Sequence, residues 1–372
     1  MNSPTSALQT AAWRGPGLWG ASLWMVVFLL SQVIASLIML MLLAGSYMWN
    51  TETRTPEEMI EHLTQLASDP QHTLAFIGGT LLLSTGINSL LIWWRMGPRG
   101  RSSLGLSRLP LGQAMCVVLM VLPISTLGSK LYLIGESYWQ QFVSLYPHAI
   151  DLRELESMSA IAGVAETTSW PWMIFLFALL PALSEELMFR GFIGRGLTER
   201  WGRVLGVGLT TCFFVTMHGY PPHMLALIPI SIMLHDVYLV TKSFWAPVLL
   251  HFANNSLAVI ALSMHSGSRS VDIQGADVIP PALLWASVSC ILALAGLLRA
   301  LQRRSDADVR EIHAHGSSAT GDDIPIAALL TARVDALKDS VGLMTRDRER
   351  FRRWFALATI SVMLFGLAFR LT

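Results

Sequence analysis

The feature that most constrains this chain is a recurring apolar run, each long enough to cross a bilayer. A spanning helix needs about 20 predominantly apolar residues. Runs of that kind occur near 20–48, 73–95, 113–135, 170–197, 203–219, 222–241, 244–264 and 279–301. A ninth, shorter run covers Trp354 to Leu371. In hydrocarbon every backbone N–H and C=O must be satisfied within the protein, so such runs fold as helices. The expected fold is therefore an all-α polytopic membrane helix bundle, with eight spans and a ninth at the C-terminus. Only 14% of the residues are charged, against about 25% in soluble domains.

Loop charge gives the orientation, because Lys and Arg collect on the cytoplasmic side. The loop after the first run carries Glu52, Glu57, Glu58, Glu61 and Asp69 against Arg54. The next carries Arg95, Arg99, Arg101 and Arg108 and no acid; the third is acidic again, with Asp151, Glu154, Glu156 and Glu166. Arg195, Arg200 and Arg203 follow, and Lys242, Arg299, Arg303 and Arg304 fall on the arginine side. This alternation places the N-terminus in the cytoplasm. The expected location is a plasma membrane, the inner membrane of a bacterium. A net charge of +1 and the lack of a basic, aromatic-rich patch exclude a nucleic-acid surface. Cys116, Cys212 and Cys290 are far apart, without thiolate-metal or disulfide spacing.

The chain divides into an N-terminal set of spans (1–169), a helical core (170–264), an eighth span (265–302), a polar insertion (303–353) and the last run (354–372). Within the insertion, His313 to Asp323 reads as a flexible linker. Residues 324–343 read as an amphipathic cytoplasmic helix, with Ile326, Leu329, Leu330, Val334, Leu337 and Val341 at helical spacing.

Chemistry concentrates in the core. Ionisable groups in hydrocarbon cost about 2.5–3.5 kcal/mol on insertion scales, and their presence there points to function. The fourth run holds Glu185, Glu186 and Arg190. Adjacent helix positions diverge by about 100°, whereas positions four apart share a face. Glu186 and Arg190 are expected to pair, leaving Glu185 free to point elsewhere. Pro181, one turn earlier, predicts a kink that opens the helix beside Glu185. With a turn at Arg200 to Gly202, Glu185 and His218 lie about equally far from it along antiparallel helices and come level. His251 and Asn255 share one face of the seventh run. His235 and Asp236 have no spaced partner and read as structural or access-lining. His223, after Pro221 and Pro222, reads as solvated in an outer loop.

A buried glutamate and a histidine can together act as a base on water, and a second histidine and an asparagine can donate to a developing oxyanion. Neither GxSxG nor HExxH is present. No cofactor is expected; zinc is the alternative, held by Glu185, His218 and His251, since three N/O ligands and a water suit a catalytic site.

The three motifs, Glu185-Glu186-x-x-x-Arg190, Phe214-x-x-x-His218 and His251-x-x-x-Asn255, resemble those of the CAAX prenyl protease type II and bacteriocin-processing (CPBP, or Abi) family of intramembrane proteases. The resemblance covers about residues 170–264. It implies an intramembrane endopeptidase acting on a membrane-associated protein or peptide. Glu185 and His218 would activate water, His251 and Asn255 would form the oxyanion hole, and Glu186 and Arg190 would support the first motif. The metal question comes with the family, whose members were long described as metalloproteases. Two other readings stand beside it. One is a non-catalytic membrane adaptor or bacteriocin-immunity protein of the same fold; the other is a proton-coupled transporter, disfavoured by the lack of internal repeats.

Overall fold

The computed structural model describes residues 15–50, 69–146, 168–265, 279–317 and 356–365, with a few isolated positions between them. All regular structure among them is helical. The chain runs through α1 (Leu18–Asn50), α2 (Pro70–Ser102), α3 (Leu111–Leu119) and α4 (Val121–Leu145). The core segment follows as α5 (Trp170–Ile174), a π-helical turn at Phe175–Leu179, α6 (Leu180–Glu186), a second π-helical stretch at Leu187–Ile193, and α7 (Gly194–Thr216). Beyond it lie α8 (Pro221–Ala226), α9 (Ile228–Thr241), α10 (Trp245–His265) and α11 (Pro281–Ser317).

Seven helical stretches are long and apolar enough to cross a membrane. The fourth, Trp170–Thr216, has 47 residues. At 1.5 Å per residue it would be about 70 Å long, more than twice the hydrocarbon thickness. It does not run straight. Gly202 has φ 73° and ψ 177°, a region open essentially to glycine alone, and the chain reverses there. A Cβ on Gly206 would lie 2.5 Å from the Cα of Thr198, so the two arms touch backbone to backbone beside the turn. This stretch thus folds as two arms on either side of Gly202 within a multi-pass membrane protein.

Three apolar clusters hold the bundle. One joins α3, α4, α9, α10 and α11 through residues such as Met120, Ile124, Leu234, Leu250 and Leu294. Ala358 and Phe365 are buried in the same cluster, and the ring of Trp354 lies against Gly296. The described part of the C-terminal run, 356–365, is therefore a helix packed on α11. A second cluster gathers α1, α2 and the core hairpin around Phe28, Phe189, Phe192 and Phe214. The third packs Met173, Leu176 and Phe177 against Val259. Large apolar side chains left exposed on α1, such as Trp19, Val33 and Met41, are the surface that lipid covers.

The arginine-rich end is cross-tied. Arg195 donates to the carbonyl and hydroxyl of Ser103, and Arg200 to the carbonyls of Gly15 and Gly196. Asp236 accepts from Arg203 and, through both oxygens at 2.7 Å, from Arg299. Lys242 reaches Asp306 at 3.1 Å.

One expectation needs correction. α11 continues to Ser317, so residues 313–317 are helical where a flexible linker is expected. At Pro181 the chain stays helical, directly after the π-helical turn at Phe175–Leu179. The amphipathic helix expected over 324–343 lies outside the described residues.

Candidate active site

The polar residues of the core form one buried layer between the apolar clusters. Glu186 is fully buried, and its Oε1 accepts from Arg190 Nη1 at 2.9 Å. The same oxygen accepts from His251 Nδ1 at 2.7 Å. Arg190, also fully buried, sends Nη2 to the carbonyl and the hydroxyl of Ser231 at 3.1 and 3.2 Å. Ser231 in turn donates to Thr211. The guanidinium lies over the ring of Phe214, 4.6 Å from its centroid. One ion pair thus ties α6, the second π stretch, α7, α9 and α10 together. Buried charges persist only when paired and hydrogen-bonded in this way.

Glu185 diverges from this network. Its side chain is 18% exposed, with Oε2 3.9 Å from His251 Nε2. That oxygen is buried and has no hydrogen-bond partner among the described residues. A separation of 3.9 Å is too long for a direct bond and suits one bridging water.

Each histidine's hydrogen bond fixes its proton. His218 Nδ1 faces the Phe214 carbonyl at 3.1 Å. A carbonyl only accepts, so Nδ1 carries the hydrogen and Nε2 presents a lone pair. His251 Nδ1 likewise donates to a carboxylate oxygen already engaged by Arg190, and its Nε2 faces Glu185. Phe214 separates and aligns the two imidazoles, its ring 5.2 Å from His218 and 6.0 Å from His251. The hairpin register accounts for the placement. Thr198 opposes Gly206 and the Phe189 ring meets Phe214 at 5.1 Å, which sets Phe214, and His218 against its ring, beside the segment that carries Glu186 and Arg190. Asn255 follows His251 by one turn of α10, and its Oδ1 accepts from Asn254 Nδ2 at 3.4 Å. Asn254 Oδ1 accepts from Ser125 at 2.9 Å.

Glu185, Glu186, Arg190 and His251 are therefore in one cluster, and His218 adjoins it through the Phe214 ring. Asn255 shares the α10 face, with its contact made to Asn254. No three His, Cys, Asp or Glu side chains among the described residues converge as a metal site. Glu185, His218 and His251 thus do not form a preset zinc cage, and no step below is routed through zinc.

Sequence reasoning misplaces or misses several residues. His223 is half-buried, its ring 5.2 Å from that of His218, where a solvated loop residue is expected. Ser231 gives no signal, since a lone serine in an apolar helix is ordinary. Asn254 is hidden beside its motif neighbour. Glu136, which no motif singles out, is buried in α4.

Residues 167–257 match the family described as Rce1-like, Type II CAAX prenyl endopeptidase. The matched stretch contains every motif residue named above. The helical core is thus similar to the Type II CAAX prenyl endopeptidase family over this stretch. The protein named "Putative membrane peptidase YdiL" of Bacillus subtilis (strain 168) is 27% identical over 108 residues, 29% of this chain and 43% of that protein. The chain thus spans less than half the length of the curated relative it matches. No solved structure matches it. The matched segment takes in α5, α6, the hairpin, α8, α9 and α10 as far as residue 257, and with them the Glu186–Arg190–His251 network.

Proposed function

We propose that the protein is an intramembrane endopeptidase in which Glu185 activates a water for attack on a peptide bond of a membrane-associated protein or peptide. The observation that carries this reading is the buried, unpartnered Glu185 Oε2, held one water's width from His251 Nε2. A carboxylate kept without a protein partner in a low-dielectric layer is equipped to accept a proton. His218, with Nδ1 committed to Phe214, has only an acceptor nitrogen to offer and belongs on the base side. His251 and Asn255 supply donors to the oxyanion, His251 from the Nε2 that faces Glu185.

In the proposed reaction the water oxygen bonds to the carbonyl carbon while its proton passes to Glu185, with His218 accepting from the same water. The carbonyl oxygen takes the negative charge and is held by His251 and Asn255. Collapse breaks the C–N bond, and the proton held by Glu185 moves to the leaving nitrogen. Glu186 and Arg190 touch none of these atoms; they orient His251. The steps use side chains alone, and a metal assay on purified, active protein tests that choice.

We further place the arginine-rich end in the cytoplasm of a bacterial inner membrane, following the loop charges. Comparing the membrane proteome of a Glu185→Gln strain with its parent should reveal uncleaved precursors, which identify the substrate. Glu185→Ala or His218→Ala should abolish their cleavage while the protein still inserts and folds; full activity in either variant discards the assignment.

A further inference from the structure

Among the described residues, the buried carboxylate outside this chemistry is Glu136 in α4. Its Oε2 accepts from the hydroxyl of Tyr220, and its Oε1 accepts from Gln140 Nε2 at 2.9 Å. Tyr220 is two residues beyond His218, and the connection between them is tight. Gly219 has φ 69°, a left-handed conformation that favours glycine, and the Tyr220 N–H donates to the His218 carbonyl at 2.7 Å. The Tyr220 ring is almost fully buried, edge-on to Trp139 and tilted against Tyr132. Directly after it, Pro222 lies so close to α4 that a Cβ on Gly135 would be 2.9 Å from its Cα. His223, one residue further, packs on the His218 ring.

His218 has left the regular part of α7, which ends at Thr216. Its position is therefore set by this turn and by whatever the turn is fastened to. We infer that Glu136 and Tyr220 are positioning residues for His218: the Tyr220 hydroxyl, held by the Glu136 carboxylate, fixes the His218–Gly219–Tyr220 turn and with it the imidazole. Neither residue touches the reacting atoms. The inference rests on the peptidase reading for its kinetic consequence, not for its structural one.

The test separates the two. Full-length protein in lipid nanodiscs, with ring-15N-labelled histidine, is compared as wild type, Tyr220→Phe, Glu136→Leu and Glu136→Gln. The spectrum reads the Nδ1–H tautomer of His218 with no substrate present. Turnover is measured on a fluorescent reporter built from a precursor that accumulates in the Glu185→Gln strain. Tyr220→Phe removes one hydroxyl and keeps the ring packing. It should disperse the His218 Nδ1–H signal and lower kcat about 10- to 100-fold, the scale of a misplaced catalytic group, with little change in KM. Glu136→Leu should match it. Glu136→Gln should recover most of the signal and the turnover, because its carbonyl can accept from Tyr220 while its amide donates to a turned Gln140.

An unchanged His218 signal and kcat in Tyr220→Phe overturns the inference. So does a Glu136→Gln as poor as Glu136→Leu, or a drop in melting temperature large enough for unfolding to explain the lost turnover. A Glu185→Gln protein that still cleaves overturns the peptidase reading instead, and leaves the spectral result standing.

Discussion

Arg190 shows how one side chain governs the layer around it. Among the described residues it is the largest fully buried side chain, and its charge is met by Glu186, Ser231 and the Phe214 ring. Replacing it with alanine removes the cationic partner of a fully buried carboxylate and leaves Glu186 with His251 alone, which costs about 3–5 kcal/mol. The measured consequence should be a large drop in melting temperature, with activity lost alongside. Arg190→Met together with Glu186→Leu removes both charges and should recover much of that stability without restoring activity, since His251 then has no acceptor for Nδ1. A double variant as unstable as the single one would mean that the pair does more than neutralise itself. Ser125 offers a gentler probe. Its hydroxyl donates to Asn254, whose amide donates to Asn255, so the Asn255 amide nitrogen turns the other way. Ser125→Ala should lower kcat several-fold, by about 1 kcal/mol for one neutral hydrogen bond, with KM and melting nearly unchanged.

At the scale of elements, the hairpin at Gly202 decides which residues can meet. Gly206→Val would force a side chain into the Thr198 backbone and should destabilise by roughly 1–3 kcal/mol or more. Gly208, with nothing within 4 Å of its Cβ position, should accept alanine without loss; equal damage at both sites would contradict the close pairing of the arms. At the start of α2, Asp69 accepts from the Gln71 N–H and contacts His72. Those two partners, the backbone one first, hold its carboxyl below the usual carboxylate range. The cap therefore contributes fully above the unfolded pKa of about 3.9 and is lost as pH falls through the lower folded value. Amide protection at Gln71 and Thr73 should decline over that acid window, and Asp69→Ala should show the reduced protection at every pH.

The hairpin turn was legible because glycine beside two arginines marks a break at a membrane face. The Glu186–Arg190 pair was legible because four-residue spacing needs no tertiary information. The contact from Glu186 to His251 was not. It joins residues 65 apart, and its direction depends on helix rotation, which the π stretches on either side of α6 shift by about one residue each. Nothing in a hydropathy pattern reports such a shift.

For the whole molecule, the charges that alternate from loop to loop gather into one polar end. Arg195 reaches Ser103, Arg203 and Arg299 share Asp236, and Lys242 meets Asp306. The loops after α2, within the hairpin, after α9 and along α11 are thereby on one side. An orientation with this end outside would set a dense cationic surface against the positive-inside bias. Single cysteines at Arg99, Gly202 and Lys242, in a background with Cys116, Cys212 and Cys290 replaced, should all react with an impermeant thiol reagent from the cytoplasmic side alone. A cysteine at Tyr146, beyond the far end of α4, should react only from the opposite side. Reaction of Gly202 and Lys242 from opposite sides would break the eight-pass arrangement itself, because α8 and α9 alone lie between the hairpin's second arm and Lys242. Reaction of the whole set with its sides exchanged would keep the bundle and invert it, putting substrates on the outer face within reach of the arginine end.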